Sequence, residues 1–292
     1  MNERERLTVR FEEHKPRLRA VAYRMLGSLA EADDVLQEAW LRICDWDTGS
    51  VEDLQAWLTT VVGRLCLNVL RSRRMRLQEL SEFRVPDPVV SFQESDGPER
   101  DVLLADSVGL ALLVVLDALE PAERLAFVLH DMFSVPFSEI ATALGRSESA
   151  TQQLASRARR RVHNVPEPER DLTRQRSLVA AFFAAARDGD FDSLLRVLHP
   201  EVVLRIDGGK LRHDASLFLR GAEAVSKHTR MYASLHPHVI PAFVNGAAGA
   251  LVVPHGKPFA VMGFTISHGG ITEIDVLLDP ERLTRLGLII PP

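Results

Sequence analysis

Apolar residues recur every three or four positions through most of the first 163 residues, the spacing of amphipathic helices. Phe11, Leu18, Val21, Ala22 and Met25 form one stripe, closed by Gly27-Ser28. Val35, Leu36, Ala39, Trp40 and Ile43 form a second, in a helix starting near Ala30. After the turn-rich Asp45-Trp-Asp-Thr-Gly-Ser50, a long third helix carries Leu54, Trp57, Leu58, Val61, Val62, Leu65, Val69 and Leu70. Residues 81–101 break the pattern, because Pro86, Pro88, Gly97 and Pro98 among acidic neighbours predict a linker. Helical spacing resumes over 102–163, and Pro166 and Pro168 then mark a second linker, 164–172. Beyond it, two helical stretches precede short apolar runs separated by Asp207-Gly-Gly, Asn245-Gly, Pro254-His-Gly and His268-Gly-Gly, which is hairpin punctuation. The chain reads as multidomain: two all-α domains, 1–80 and 102–163, followed by an α+β sheet domain, 173–292.

The segment Pro136 to Arg161 predicts a helix, a tight turn at Gly145 and a second helix capped by Ser147. Ile140, Ala141 and Leu144 form the inner stripe of the first helix; Thr151, Ala155, Ala158 and Val162 form that of the second. Ser149, Gln152, Gln153 and Ser156 are left facing outward, short polar side chains suited to base edges in a major groove. Arg157, Arg160 and Arg161 lie further along, where they suit phosphates. This is the layout of a helix-turn-helix. An ordinary helical hairpin with a solvated basic end is the competing reading.

Charge changes the picture. The net charge of −5 over 292 residues does not suggest a nucleic-acid binder, yet the charge is unevenly placed. Acids dominate from Glu82 to Glu139, whereas basic residues concentrate at Arg71, Arg73, Arg74 and Arg76 and again from Arg157 to Arg161. Two basic clusters separated by an acidic stretch suggest two DNA-facing modules. The opening Met-Asn-Glu-Arg-Glu-Arg has no basic and apolar leader, and the most apolar run, Val108 to Leu116, is too short to span a bilayer. A cytoplasmic protein without membrane attachment is expected. Cys44 and Cys66 have no close-spaced partner, so buried thiols are expected, with no metal and no cofactor.

Ala32-Asp-Asp-Val-Leu-Gln-Glu-Ala-Trp-Leu-Arg42 resembles the core-polymerase-binding segment of bacterial extracytoplasmic-function sigma factors. Asn68-Val-Leu-Arg-Ser-Arg-Arg74 is similar to their segment that melts and holds the promoter −10 element. Residues 102–163, with Pro121-Ala-Glu-Arg-Leu-Ala-Phe127 ahead of the helix-turn-helix, resemble their −35-reading domain. The resemblance implies a promoter-specificity factor, not an enzyme, whose partners are promoter DNA and core RNA polymerase, at its β′ clamp and β flap. It places core binding on Asp33, Asp34, Gln37, Glu38 and Arg42. It places −10 contacts on Trp46, Arg64, Asn68, Arg71, Arg73 and Arg74. The −35 contacts fall on Ser149, Gln152, Gln153, Ser156, Arg157 and Arg160.

The third domain resembles the SnoaL-like extension of one sigma-factor subgroup. Val165-Pro-Glu-Pro168 is similar to that subgroup's linker signature, with Pro166 and Pro168 as regulatory positions. Asp207-Gly208-Gly209-Lys210 resembles its glycine-rich motif with one glycine fewer, and Asp279-Pro-Glu-Arg-Leu283 its C-terminal motif. The resemblance implies a regulatory domain that answers to a small ligand or a protein. SnoaL-like folds also include isomerases and cyclases, for which Asp275, His213, Asp214, His228, His236 or His238 are candidate general bases. The alternatives are a DNA-binding regulator that never joins polymerase and an enzyme fused to a regulatory helical half.

Overall fold

A computed structural model describes residues 3–44, 53–76, 84–92, 109–163, 168–231 and 238–290. Trp46, Pro166, His236 and the acids between positions 93 and 108 lie outside them, as does the side chain of Arg74. The chain divides into two compact units, residues 1–79 with 115–165 and residues 80–114 with 166–292.

The first unit is helical: α1 (Glu3–Leu26), α2 (Leu29–Cys44), α3 (Leu54–Arg76), α4 (Leu110–Asp117), α5 (Pro121–Phe127), α6 (Phe137–Leu144) and α7 (Glu148–Val162). The unit boundary falls inside α4. Gly27, at φ 64°, ends α1, and the Asp53 carboxylate accepts from the Ala56 amide to start α3. The periodic residues are the buried ones: Leu18, Val21 and Met25 on α1, Val35, Ala39 and Ile43 on α2, Leu58, Val62 and Leu65 on α3. Gly63 lets α3 approach α5 and the π-helical turn Val128–Met132 that continues it. A Cβ at this position would stand 3.0 Å from the side chains of both Leu125 and Leu129. Arg124, 1% exposed, donates to the Arg24 carbonyl at 3.0 and 3.1 Å and to Asp117 at 2.7 Å. That closes the C-terminal end of α1, whose last carbonyls have no partner within the helix. Cys66 is buried here, and burial pushes its thiol pKa up.

The second unit holds α8 (Leu172–Asp188), α9 (Phe191–Val197), α10 (Ala222–Arg230), α11 (Pro280–Arg285) and a seven-stranded sheet. Its strands are β1 (Val90–Ser91), β2 (Leu198–Asp207), β3 (Leu217–Arg220), β4 (Val239–Val244), β5 (Ala247–Val252), β6 (Ala260–Ser267) and β7 (Gly270–Leu277), in the order β1-β4-β5-β6-β7-β2-β3. Among the described residues only β2 and β7 run parallel. Val179 and Phe182 of α8 pack on Leu204, Ile206, Phe264, Ile274 and Val276. The α+β class is therefore as expected. The described part of the expected linker is packed: residues 85–91 are buried and supply β1, with Val90 opposite Val244 and Ser91 opposite Phe243.

Candidate nucleic-acid interface

Gly145, at φ 65°, turns the chain out of α6, and the Arg146 amide returns to the Ala141 carbonyl at 3.0 Å. The Ser147 hydroxyl then accepts from the Ala150 amide, which starts α7. Thr151, Leu154, Ala155 and Ala158 are buried, so Ser149, Gln152, Gln153 and Ser156 are all exposed on one face. The arginines beyond them differ. Arg157 Nε and Arg161 Nη1 donate to the two oxygens of Glu123 at 2.7 and 3.2 Å, and Arg159 donates to Asp131 at 2.5 Å. Arg160 is exposed, and among the described residues it has no ion pair.

On α3, Arg64, Asn68 and Arg71 are exposed and share a face at i, i+4 and i+7. Arg73 is not on that face. Nine residues beyond Arg64, at about 100° per residue, it lies roughly half a turn round the helix. It donates to the Leu26 carbonyl and pairs with Glu31, its side chain 13% exposed. Arg73, expected at the −10 element, here ties α3 to the end of α1 and the start of α2. Arg64 itself donates to the Thr142 carbonyl of α6 at 2.7 Å, which brings the two expected readers together.

Asp33, Asp34, Gln37, Glu38 and Arg42 are exposed along α2. Arg19 grips Asp33 through two bonds, and Glu38 pairs with Arg42, leaving Asp34 and Gln37 for a partner. Leu41, 60% exposed, stands three residues beyond Glu38 and seven beyond Asp34. An exposed leucine beside the polar face is what reading the charges alone passed over.

The second unit assembles a different site. Asp207 accepts from the Val85 amide at 3.0 Å, the Gly209 amide at 3.0 Å and Arg282 at 2.6 Å. Arg282 also donates to Asp87 and to the Val85 carbonyl. Burial opposes its charge, but Asp87 and Asp207 outweigh this and raise its pKa. Asn245 closes the other end, exchanging bonds with the Val89 amide and carbonyl. Both glycines of the Asp207-Gly-Gly motif are required: a Cβ on Gly208 would fall 2.0 Å from the Arg212 carbonyl oxygen. One on Gly209, at φ 60°, would fall 1.9 Å from the Asp279 carboxylate. Asp279 meanwhile caps α11, from which Arg282 projects. The two motifs of the third domain thus form one cradle around Val85-Pro-Asp-Pro88. Lys210 is exposed at its rim, and Pro168 is exposed away from these contacts. Leu110 returns to the same sheet, lying 2.7 Å from where a Cβ of Gly263 would be.

The candidate general bases are not gathered. His213, Asp214 and His238 are exposed, and burial lowers the His228 pKa. Asp275 alternates with Ile274 and Val276 of the core, so it faces away from α8. It pairs with Arg205 at 2.7 Å, and Glu273 joins the same guanidinium. Burial raises the Asp275 pKa to about 6 against the pull of Arg205. On the core side, Phe182, Phe183 and Phe264 pack edge to face. Among the described residues no group of His, Cys, Asp or Glu is placed to hold a metal, and no helix is long and apolar enough to cross a membrane.

Comparison with known proteins matches residues 10–76 to Sigma-70 region 2 and residues 109–162 to Sigma-70, region 4. The chain is 38% identical to the ECF RNA polymerase sigma factor SigJ of Mycobacterium tuberculosis, over 94% of its own length and 92% of the relative's. It is 35% identical to a probable ECF RNA polymerase sigma factor, SigI, of the same species, over 98% of each chain. The crystal structure of M. tuberculosis SigJ superposes with a TM-score of 0.74 at 33% identity, covering 95% of this chain and 98% of that one.

Proposed function

Because this chain belongs to the extracytoplasmic-function sigma factors, which direct RNA polymerase to selected promoters, we propose that its α+β domain restrains promoter reading by holding the linker between the two readers. Ser149, Gln152, Gln153 and Ser156 meet the −35 base edges, with Arg160 on phosphate. Arg64, Asn68 and Arg71 handle the melted −10 strand, where a basic track and stacked bases suffice for binding. Asp34, Gln37 and Leu41 of α2 dock on the β′ clamp, and the helix-turn-helix domain engages the β flap. The protein acts in the cytoplasm, beside polymerase.

The two promoter elements stand about 25 base pairs apart, roughly 85 Å at about 3.4 Å per pair. Arg64 and Thr142 touch at 2.7 Å, so the readers part before both are engaged. The linker must then extend. The observation that carries the restraint is the cradle, in which Asp207 and Arg282 grip Val85 and Asp87 while β1 pairs with β4. Three phenylalanine rings on the core side and a paired Asp275 on the other support a regulatory domain over an enzymatic one.

Run-off transcription with purified core polymerase tests this, comparing the full-length protein with Arg282→Gln. A several-fold faster formation of promoter complexes by the variant, at limiting sigma factor, is the expected result. Equal rates would overturn the restraint. A wild-type protein insensitive to both promoter elements would overturn the reading itself.

A further inference from the structure

Glu123 has a use that the fold alone does not explain. It sits in the first turn of α5, 4% exposed. A carboxylate that deeply buried is costly unless paired and hydrogen-bonded. Its two partners both come from the reading helix, one turn apart: Arg157 at 2.7 Å and Arg161 at 3.2 Å. Each arginine spends one N–H on Glu123 and keeps its outer donors, since a guanidinium carries five. The arginine side chains remain 48% and 55% exposed, so those outer donors reach solvent.

We infer that Glu123 is a positioning residue for −35 recognition, pinning Arg157 and Arg161 as a preset phosphate clamp that fixes the rotation and depth of α7 in the major groove. This rests on the reading of α7 as the −35 helix. Phosphate contacts set register without carrying sequence information, and base contacts then read within that register. With both side chains anchored, the Gln152–Gln153 face is presented at one angle. Unpinned, the same arginines follow any duplex backbone, and discrimination falls while non-specific attraction grows. Glu123 also cancels one positive charge beside the phosphates, which keeps the helix from binding every sequence alike.

The test uses holoenzyme assembled from core polymerase and full-length protein. Binding to a promoter duplex and to one with a scrambled −35 element is measured across a salt series. Glu123→Gln keeps the shape and removes the charge. It is expected to lower the ratio of the two affinities roughly tenfold, the size of about one misread base pair. It is also expected to steepen the salt dependence by about one unit of slope, one more uncancelled positive charge facing phosphate. A merely structural role would weaken both duplexes equally and leave the slope unchanged; that result would overturn the inference. Arg157→Lys keeps the charge, sits on an exposed position and cannot reproduce the Nε bond. It is expected to lose discrimination several-fold, and an unchanged ratio would equally overturn the inference. Wild-type holoenzyme that does not distinguish the duplexes would instead remove the assignment of α7.

Discussion

Arg124 and Arg282 are built alike and differ in what they hold. Each is a mostly buried guanidinium that ties a backbone carbonyl and a carboxylate: Arg24, 100 positions away, and Asp117, seven away, for Arg124; Val85 and Asp87, 197 and 195 away, for Arg282. Arg124 closes the end of α1 inside the helical unit. Arg282 closes on a segment that the chain passes through between its two readers. On the proposed restraint, the same chemistry serves as a permanent fastening in one place and as a releasable one in the other. The difference lies in what surrounds the bonded segment. Met25, Leu116 and Leu125, the chain neighbours of Arg124 and its partners, lie within helices at 0% exposure, whereas residues 85–91, though buried, are held by a two-residue strand and a handful of polar bonds.

Breaking the fastenings separates the two. Arg124→Met removes the donor to the Arg24 carbonyl at the end of α1 and the nearer of the two arginines on Asp117. Its cost is about 3–5 kcal/mol, measured as a lowered midpoint in urea unfolding of the helical unit. The next largest effect is one of pH. The Asp275 pKa is raised from 3.8 to about 6 when folded. The folded state therefore binds this proton more tightly than the unfolded state, and the contribution of Asp275 to stability is greatest below about pH 4. It declines by something on the order of 3 kcal/mol as pH rises to about 6, and is flat above. Asp275→Asn is expected to flatten that decline in unfolding curves taken across the window, which marks the Arg205 cluster as a fixed part of the sheet. The smallest effect is Asp87→Asn, which weakens a charge-assisted bond worth roughly 1–2 kcal/mol. Hydrogen exchange at the Val85 and Val89 amides is expected to accelerate while the global unfolding midpoint barely moves. A global loss of stability would place Arg282 with Arg124 among the permanent fastenings.

The helical half was legible because its signals are local. A stripe of apolar residues at helical spacing decides which side of α7 faces outward, and the structure exposes the same four polar residues. Composition misled where angle mattered: Arg73 reads as part of a basic cluster, yet its place on the helix sends it to Leu26. The cradle was not legible because its bonds join residues 122 and 195 positions apart. Pro86 and Pro88 read as linker punctuation, although proline is tolerated beside an edge strand. One signal was present. Val-Pro-acid-Pro occurs at 85–88 as well as at 165–168, and it is the first copy that the Asp207 and Arg282 motifs grip.

Pairing β1 with β4 has a further consequence for the molecule in a crowded cell. While Val90 and Ser91 lie along Val244 and Phe243, β4 is an interior strand. Withdraw them and the Phe243–Val244 end of β4 becomes an open edge, two apolar side chains beside unsatisfied backbone groups. Such an edge templates pairing with other chains. Transcriptional activation would then carry a colloidal liability, and the freed form would survive either briefly or with another strand in place of its own.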